Sequence, residues 1–458
     1  MTHRHGPLLL LAVVVEASLI SLYGLKTNPS LHVAGFITAY LTAFLSYLVS
    51  CYLVINKGQT DLGRTGMRLI WGMAILFRLT VLPLDPQLSE DLHRYRWDGK
   101  LQAAGGNPYT EAPESPSWKH LRDGGYPQVA GKQLPTVYGP VLEIVYAGTY
   151  VVTATVSEDP LWQARLFKIP FALVELGVGW TLAGILCALG KPSSWLLIYL
   201  WSPLIVTEFW AQGHNDPLVM LFVVLTLGAI VRCRWHRAWC WLTVAALTKL
   251  WPLLLAPLFL LRNKDDNPRL SGKVMISSLV LVFLFALPYW DGILRIGETL
   301  LAFADGRQNN AALYALILAI SGGNYGLTTA ITAGFLIVII VILTTLRLEI
   351  IQGMMAVVVA LLLLSANCFP WYLGWLVPFL VIYPSVGLLL WTGLVPLSYH
   401  ILIDYTILGI WRESYEFQIL EYVPVYAILL SNICALRCRP QRVFGRLVER
   451  SPPDFRAG

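Results

Sequence analysis

The residues of this 458-residue chain best suited to chemistry lie between positions 89 and 109, in the run SEDLHRYRWDGKLQAAGGNPY. If this run is helical from Glu90 to about Ala104, then Asp91, Arg94, Tyr95, Asp98 and Gln102 stand at i, i+3, i+4, i+7 and i+11 and share one face. A carboxylate, a guanidinium and a phenol then point the same way. A carboxylate can take a proton from a hydroxyl within hydrogen-bond reach, and a guanidinium can bind an anion through two parallel hydrogen bonds. The same spacing also allows Arg94 to pair internally with Asp91 or Asp98, and Asp98 to cap or brace the helix. Gly105, Gly106, Asn107 and Pro108 end the helix in a turn, because glycine accepts positive φ and proline disfavours α geometry in the residue before it. The plain alternative for the whole stretch is a solvated amphipathic loop helix.

Other places also carry polar groups in apolar surroundings. Lys249 lies in the stretch 238–261, whose Pro252 and Pro257 predict two half-spanning pieces that turn at residues 249–252. A lysine in such a break costs about 3 kcal/mol on insertion scales unless it meets an anion; the alternative is snorkelling to the headgroups. Gln212-Gly213-His214-Asn215-Asp216 separates two apolar runs. Its side chains can bind hydroxyls or a cation, or Asn215 or Asp216 can simply cap a helix ahead of Pro217. Tyr138-Gly139-Pro140 and the run 367–372 stand at helix ends, where interfacial aromatic belts are the ordinary explanation. Glu16, Arg78, Glu143, Glu175 and Glu208 lie within or beside apolar runs and are functional candidates by default, Glu143 and Glu208 foremost because they neighbour the polar motifs.

The elements that must position these groups are membrane helices. Hydrophobic residues make up 56% of the chain, charged residues 13%, and mean hydropathy is +0.62. At about 20 apolar residues per crossing, this predicts an all-α polytopic membrane protein with roughly 12–14 transmembrane segments. The net charge of +6 is spread along the chain, which fits an excess of Lys and Arg in cytoplasmic loops and leaves no nucleic-acid patch. Seven cysteines lie in or next to apolar segments with no CxxC pair, against both a disulfide framework and a zinc site. The apolar start, residues 2–25, shows no clear cleavage site before Lys26 and reads as a retained first span. Spans at 8–25, 31–55 and 69–83, with a basic connection carrying Lys57, Arg64 and Arg68, deliver residues 84–136 to the outer side as one long loop. That loop belongs to a single integral-membrane domain, 1–458. Basic connections at 232–237, 262–273 and 437–450 are expected in the cytoplasm. Arg232, Arg234 and Arg237 place residues 213–216 outside, whereas counting every segment as a crossing places them inside. One segment between 135 and 210 therefore does not cross, with 137–156 the first suspect.

The run Asp91-x-x-Arg94-Tyr95-x-Trp97-Asp98-Gly99, with Ala104-Gly105-x-Asn107-Pro108-Tyr109 behind it, resembles the first extracytoplasmic loop of bacterial polyprenol-phosphate-mannose-dependent mannosyltransferases of the GT-C superfamily. The resemblance is dense here and diffuse elsewhere. It implies a GT-C fold in the plasma membrane that moves a hexose, here mannose, from a polyprenol phosphate to an acceptor hydroxyl on the outer face, with inversion. The acceptor is a glycan, a lipid or a protein. In that superfamily an acidic residue just after an early transmembrane helix is the catalytic base, and Asp91 is the matching position, with Glu90 and Asp98 as competitors. Arg94 and Lys249 are expected on the donor phosphate, since Leu247-Thr248-Lys249 resembles the break that contacts the lipid phosphate in related enzymes. Glu90, Tyr95, Asp98, Asn107, Tyr109, Tyr138, His214, Asn215 and Asp216 are the substrate-binding candidates. No nucleotide sugar is expected at the site, because no Gly-rich phosphate loop follows a strand, and no cofactor or metal is expected beyond the lipid-linked sugar. The alternatives are a secondary transporter or flippase for a lipid-linked or small polar substrate, and a noncatalytic lipid carrier. Transporters usually repeat their interrupted segments in both halves, and the polar loop has no counterpart in the second half.

Overall fold

A computed structural model describes residues 5–25, 29–56, 62–260, 272–304, 308–346 and 348–438. The basic positions expected at 57, 262–271 and 439–450 lie outside the described residues. Within them the chain is helical, with a single isolated backbone bridge between Asn309 and Asn367. Among the described residues, six helices are long and apolar enough to cross a membrane; a seventh results if Ser193–Leu200 and Pro203–Ala211, bent by 50°, count as one span. Five shorter apolar helices accompany them, among them Pro140–Val156 and Asp216–Val231. The architecture is that of an all-α polytopic membrane protein.

Helices α1 (Gly6–Ser21), α2 (Pro29–Asn56) and α3 (Gly63–Val81) pack together at the start of the chain. Hydrogen bonds and one ion pair link them to one another and to later segments. Thr80 Oγ1 donates to Glu16 at 2.5 Å, and Arg78 pairs with Glu175 of a later helix through two hydrogen bonds of 2.7 and 2.8 Å. Arg78 also donates to the carbonyls of Ala74 and Leu200, and Trp210 Nε1 donates to Glu175 at 2.9 Å. This pair clamps α3, the Glu175 helix and the bent pair to one another.

The chain leaves α3 through Pro83 and enters α4 (Asp91–Ala103), one residue shorter at each end than the spacing predicts. Gly105, at φ +87°, ends α4. Gly106 N–H reaches Leu101 O at 2.9 Å and Gly105 N–H reaches Gln102 O at 2.9 Å, a two-bond stop that needs the left-handed residue. Helix α4 lies against α5 (Pro140–Val156), and Gly99 is why it can. A Cβ there would collide with the carbonyl of Tyr146. Leu92, Tyr95, Leu142, Tyr146, Phe167 and Phe171 form the core between them, with Tyr95 and Tyr146 stacked at 4.8 Å. Asp123 ties the following loop back to α4 by pairing with Arg96 and Lys100, both at 2.6 Å. These partners hold its carboxyl down at about 2 against the opposing effect of burial.

The segment suspected of not crossing, 137–156, has only 17 residues in α5. The bent pair, broken ahead of Pro203, is a second short-fall in the same interval. The expected break at Lys249 is present: a helix over Trp235–Thr248 stops, Lys249 is extended at φ −141° and ψ 148°, and a 3-10 turn over Trp251–Leu255 follows. Two short helices, Ile296–Ala304 and Ala312–Ile320, follow further along the chain.

Candidate active site

Asp91 occupies the first turn of α4, its N–H bonded to Ser89 Oγ at 3.2 Å. Its carboxylate lines a cavity of about 1670 Å³ and has no hydrogen-bond partner among the described residues. Burial pushes the Asp91 carboxyl above the usual carboxylate range, while His214, Lys249 and Arg94 pull it down and Asp216 pushes it up. Glu90 lines the same wall and is raised by burial and by Asp91, against the pull of Lys132.

Of the two pairings open to Arg94, the structure makes the one at i+4. Arg94 Nε donates to both oxygens of Asp98 at 2.9 and 3.0 Å, and Nη1 donates to Gly131 O at 2.9 Å. Nη2 is buried without a partner, although the residue lines the cavity. The guanidinium is thus held at two nitrogens and free at the third. Asp98 is fully buried, with its carboxyl raised by burial against the lowering effect of Arg94. Gln102 Nε2 bonds Asp98 O at 3.1 Å and Glu143 Oε2 at 2.8 Å, and Tyr289 donates to Gln102 at 2.8 Å.

Lys249 reaches the same cavity from the broken helix. Gly139 allows this approach: its N–H donates to Thr248 O at 3.1 Å, and a Cβ on it would strike the carbonyl of Leu247. Lys249 Nζ lies 2.6 Å from Asp216 Oδ1, which also accepts from Trp375 Nε1 at 2.6 Å. Asp216 Oδ2 has no partner. The ammonium stands 5.9 and 5.8 Å from the ring centres of Tyr372 and Trp375. His214 stacks on Trp371 at 3.9 Å, and its Nδ1 lies 3.2 Å from Glu208 Oε2, leaving Nε2 unpartnered. Glu208 also accepts from Tyr399 at 3.0 and 2.9 Å. Asn215 Nδ2 donates to Tyr146 Oη at 2.5 Å, its Oδ1 is unpartnered, and its side chain does not cap the helix that follows.

The sequence-predicted residues therefore divide. Glu90, Asp91, Arg94, Tyr138 and Lys249 line one cavity. Tyr95, Asp98, His214, Asn215 and Asp216 stand buried behind its wall. Asn107 and Tyr109 are placed as braces: Asn107 Nδ2 bonds Asp291 at 2.5 Å and its Oδ1 accepts from Tyr109 N–H at 2.9 Å, while Tyr109 Oη bonds Tyr138 O at 2.8 Å. Sequence reasoning missed Tyr399, Trp375 and His93, which also line the cavity. Burial and Arg96 push the His93 imidazole down to about 4. Tyr399 and Trp375 stand in no polar run, and only contacts between distant segments bring them here; His93 lies within the 89–109 run but off the face that its helical spacing singles out. Among the described residues, no three His, Cys, Asp or Glu side chains converge as metal ligands.

Residues 7–263 match the family model described as MptA_B family, alpha-(1->6)-mannopyranosyltransferase, N-terminal domain. That is more than half of the chain. The chain belongs to this family. The protein is accordingly a multi-pass membrane mannosyltransferase of GT-C type. The matched stretch contains Asp91, Arg94, Tyr138, the 212–216 motif and Lys249. No curated protein and no solved structure matches the mannosyltransferase chain.

Proposed function

We propose that this mannosyltransferase takes mannose from a polyprenol phosphate on the outer face of the plasma membrane and transfers it with inversion to a hydroxyl of a glycan acceptor. Asp91 removes the acceptor proton as that oxygen attacks the anomeric carbon. The bond from that carbon to the phosphate oxygen breaks, and the polyprenol phosphate leaves with the bonding pair. Arg94, through its unpaired Nη2, and Lys249, through the ammonium hydrogens not given to Asp216, meet the charge that develops on the leaving group. Asp98 and Asp216 orient these two cations, Tyr138 borders the sugar, and His214 and Asn215 lie behind the floor.

The observation that carries this reading is the Asp91 carboxylate itself: it is raised by burial, faces the cavity, has no hydrogen-bond partner among the described residues, and shares a wall with two cations. A base must be open to its substrate in this way; the bracing Asp98, though also raised by burial, is held by Arg94 on both oxygens. The apolar cavity wall at Leu300, Ala315, Leu316 and Leu402 offers the surface a prenyl tail requires. The test is mannosyl transfer from radiolabelled polyprenol-phosphate mannose in liposomes, wild type against Asp91→Asn. Transfer that collapses while donor binding persists supports the reading. Unchanged transfer refutes Asp91 as the base, and binding of the donor with no transfer by the wild type refutes this donor.

A further inference from the structure

The cavity continues beyond the groups used above. It is larger than the roughly 300–1,000 Å³ of pockets that enclose a drug-sized ligand. Part of its wall is made by Gln308, Asn309 and Asn367, which no step of the transfer employs. Asn309 is only 4% exposed, yet its side-chain amide has no hydrogen-bond partner among the described residues. The Asn367 amide is likewise open, and Gln308 Oε1 is buried and unpartnered.

The backbone behind these amides is fixed. Asn309 N–H donates to Ala366 O at 3.0 Å, and Cys368 N–H donates to Asn309 O at 2.8 Å. Asn310 sits at φ 51°, a left-handed conformation that a non-glycine residue keeps only where its surroundings over-determine it. Here Glu413 accepts its N–H at 2.5 Å, the buried Glu421 accepts its side-chain amide at 3.0 and 3.1 Å, and Tyr422 donates to its carbonyl at 2.7 Å. Such strain clusters at ligand sites. From this cluster a ladder of rings leads back toward Asp91. Phe369 stacks on Trp371 at 4.6 Å, and Trp371 on His214 at 3.9 Å.

Open amides do not suit a prenyl tail, because an amide facing hydrocarbon loses its hydrogen bonds to water and gains none. They do suit a neutral polyhydroxyl ligand, whose O–H groups both donate and accept, with the half-buried Phe369 ring as an apolar neighbour. We infer that Gln308, Asn309 and Asn367 form a subsite for the acceptor glycan, holding a sugar behind the one whose hydroxyl reacts at Asp91. The assignment of the ligand as acceptor rests on the proposed transfer; the binding of a neutral glycan does not.

The test is calorimetric titration of the full chain in nanodiscs with α(1→6)-linked mannobiose and mannotetraose. Wild type should bind the tetrasaccharide at least about tenfold more tightly than the disaccharide, the scale of one or two hydrogen bonds. The Asn309→Ala/Asn367→Ala double variant should lose that preference while its melting temperature holds. Gln308→Ala, which leaves the 309–367 bridge untouched, should reduce the preference in the same direction. A preference that survives the double variant, or none in the wild type, overturns the subsite. So does a double variant that weakens polyprenol phosphate binding and spares the glycan, which would give this wall to the lipid. Mannosyl transfer read on the same preparation separates the two claims: length-dependent binding without transfer keeps the subsite and sinks the transfer reading.

Discussion

Two regions of the molecule hold ionised groups away from water, and they hold them differently. At Arg78 and Glu175 both side chains are fully buried, and the guanidinium and carboxylate are matched by each other, by two carbonyls and by Trp210. Around Asp91 the matching stops short: among the described residues, Arg94 Nη2, His214 Nε2, Asn215 Oδ1 and Asp216 Oδ2 are buried without partners, and the Asp91 carboxylate lines the cavity. Leaving one buried polar atom unsatisfied costs about 1–3 kcal/mol, so four in one place are expensive for folding alone. A closed network braces. An open one is kept for a ligand. Arg94 belongs to both kinds, closed toward Asp98 and open toward the cavity.

The contrast can be broken by substitution, and the largest effect should fall on Asp91. Asp91→Asn should lower kcat by about 10²–10⁴-fold, the range for a general base, in a steady-state transfer assay. Its melting temperature should not fall. Because the folded carboxyl is raised above its ordinary value, the ionised form costs stability at neutral pH, and that cost disappears as pH falls through the folded value. Glu175→Ala should do the opposite, destabilising the fold by about 3–5 kcal/mol in thermal or denaturant melts, because Arg78 is left charged and unpaired. Lys249→Met should raise the donor KM by about 10–100-fold, the worth of one charged hydrogen bond. It should also move the acid limb of the pH–rate profile to higher pH, since Lys249 is one of the cations that lower Asp91. The smallest effect belongs to a brace at the loop edge: Asn107→Ala should cost about 1 kcal/mol in a melt, with donor KM unchanged.

Much of this was legible in the sequence where one helix or one break carries the information. The period of α4 fixed which residues share a face, Gly105 fixed where the helix ends, and Pro252 with Lys249 marked the broken helix. What stayed hidden depends on contacts between segments far apart in the chain. Spacing allowed Arg94 two partners and could not choose between them, because the choice turns on the depth at which Asp98 is buried against α5. Glu16, Arg78 and Glu175 stood as candidates behind Glu143 and Glu208 until their partners could be seen. Tyr399 and Trp375 reach the site from the last third of the chain, and the amides at 308–310 lie in a stretch with no clear periodicity.

The most direct test of the open network as reactive machinery is chemical rescue. In Asp91→Ala the cavity remains wide enough for a small external acid, so formate and weaker or stronger carboxylates can be supplied to the purified enzyme with donor and acceptor. If Asp91 is the base, transfer lost in the variant returns with added carboxylate and rises with its basicity, as general-base catalysis requires. If the variant binds donor normally yet no carboxylate restores transfer, or if it transfers at the wild-type rate unaided, Asp91 is not the group that takes the proton.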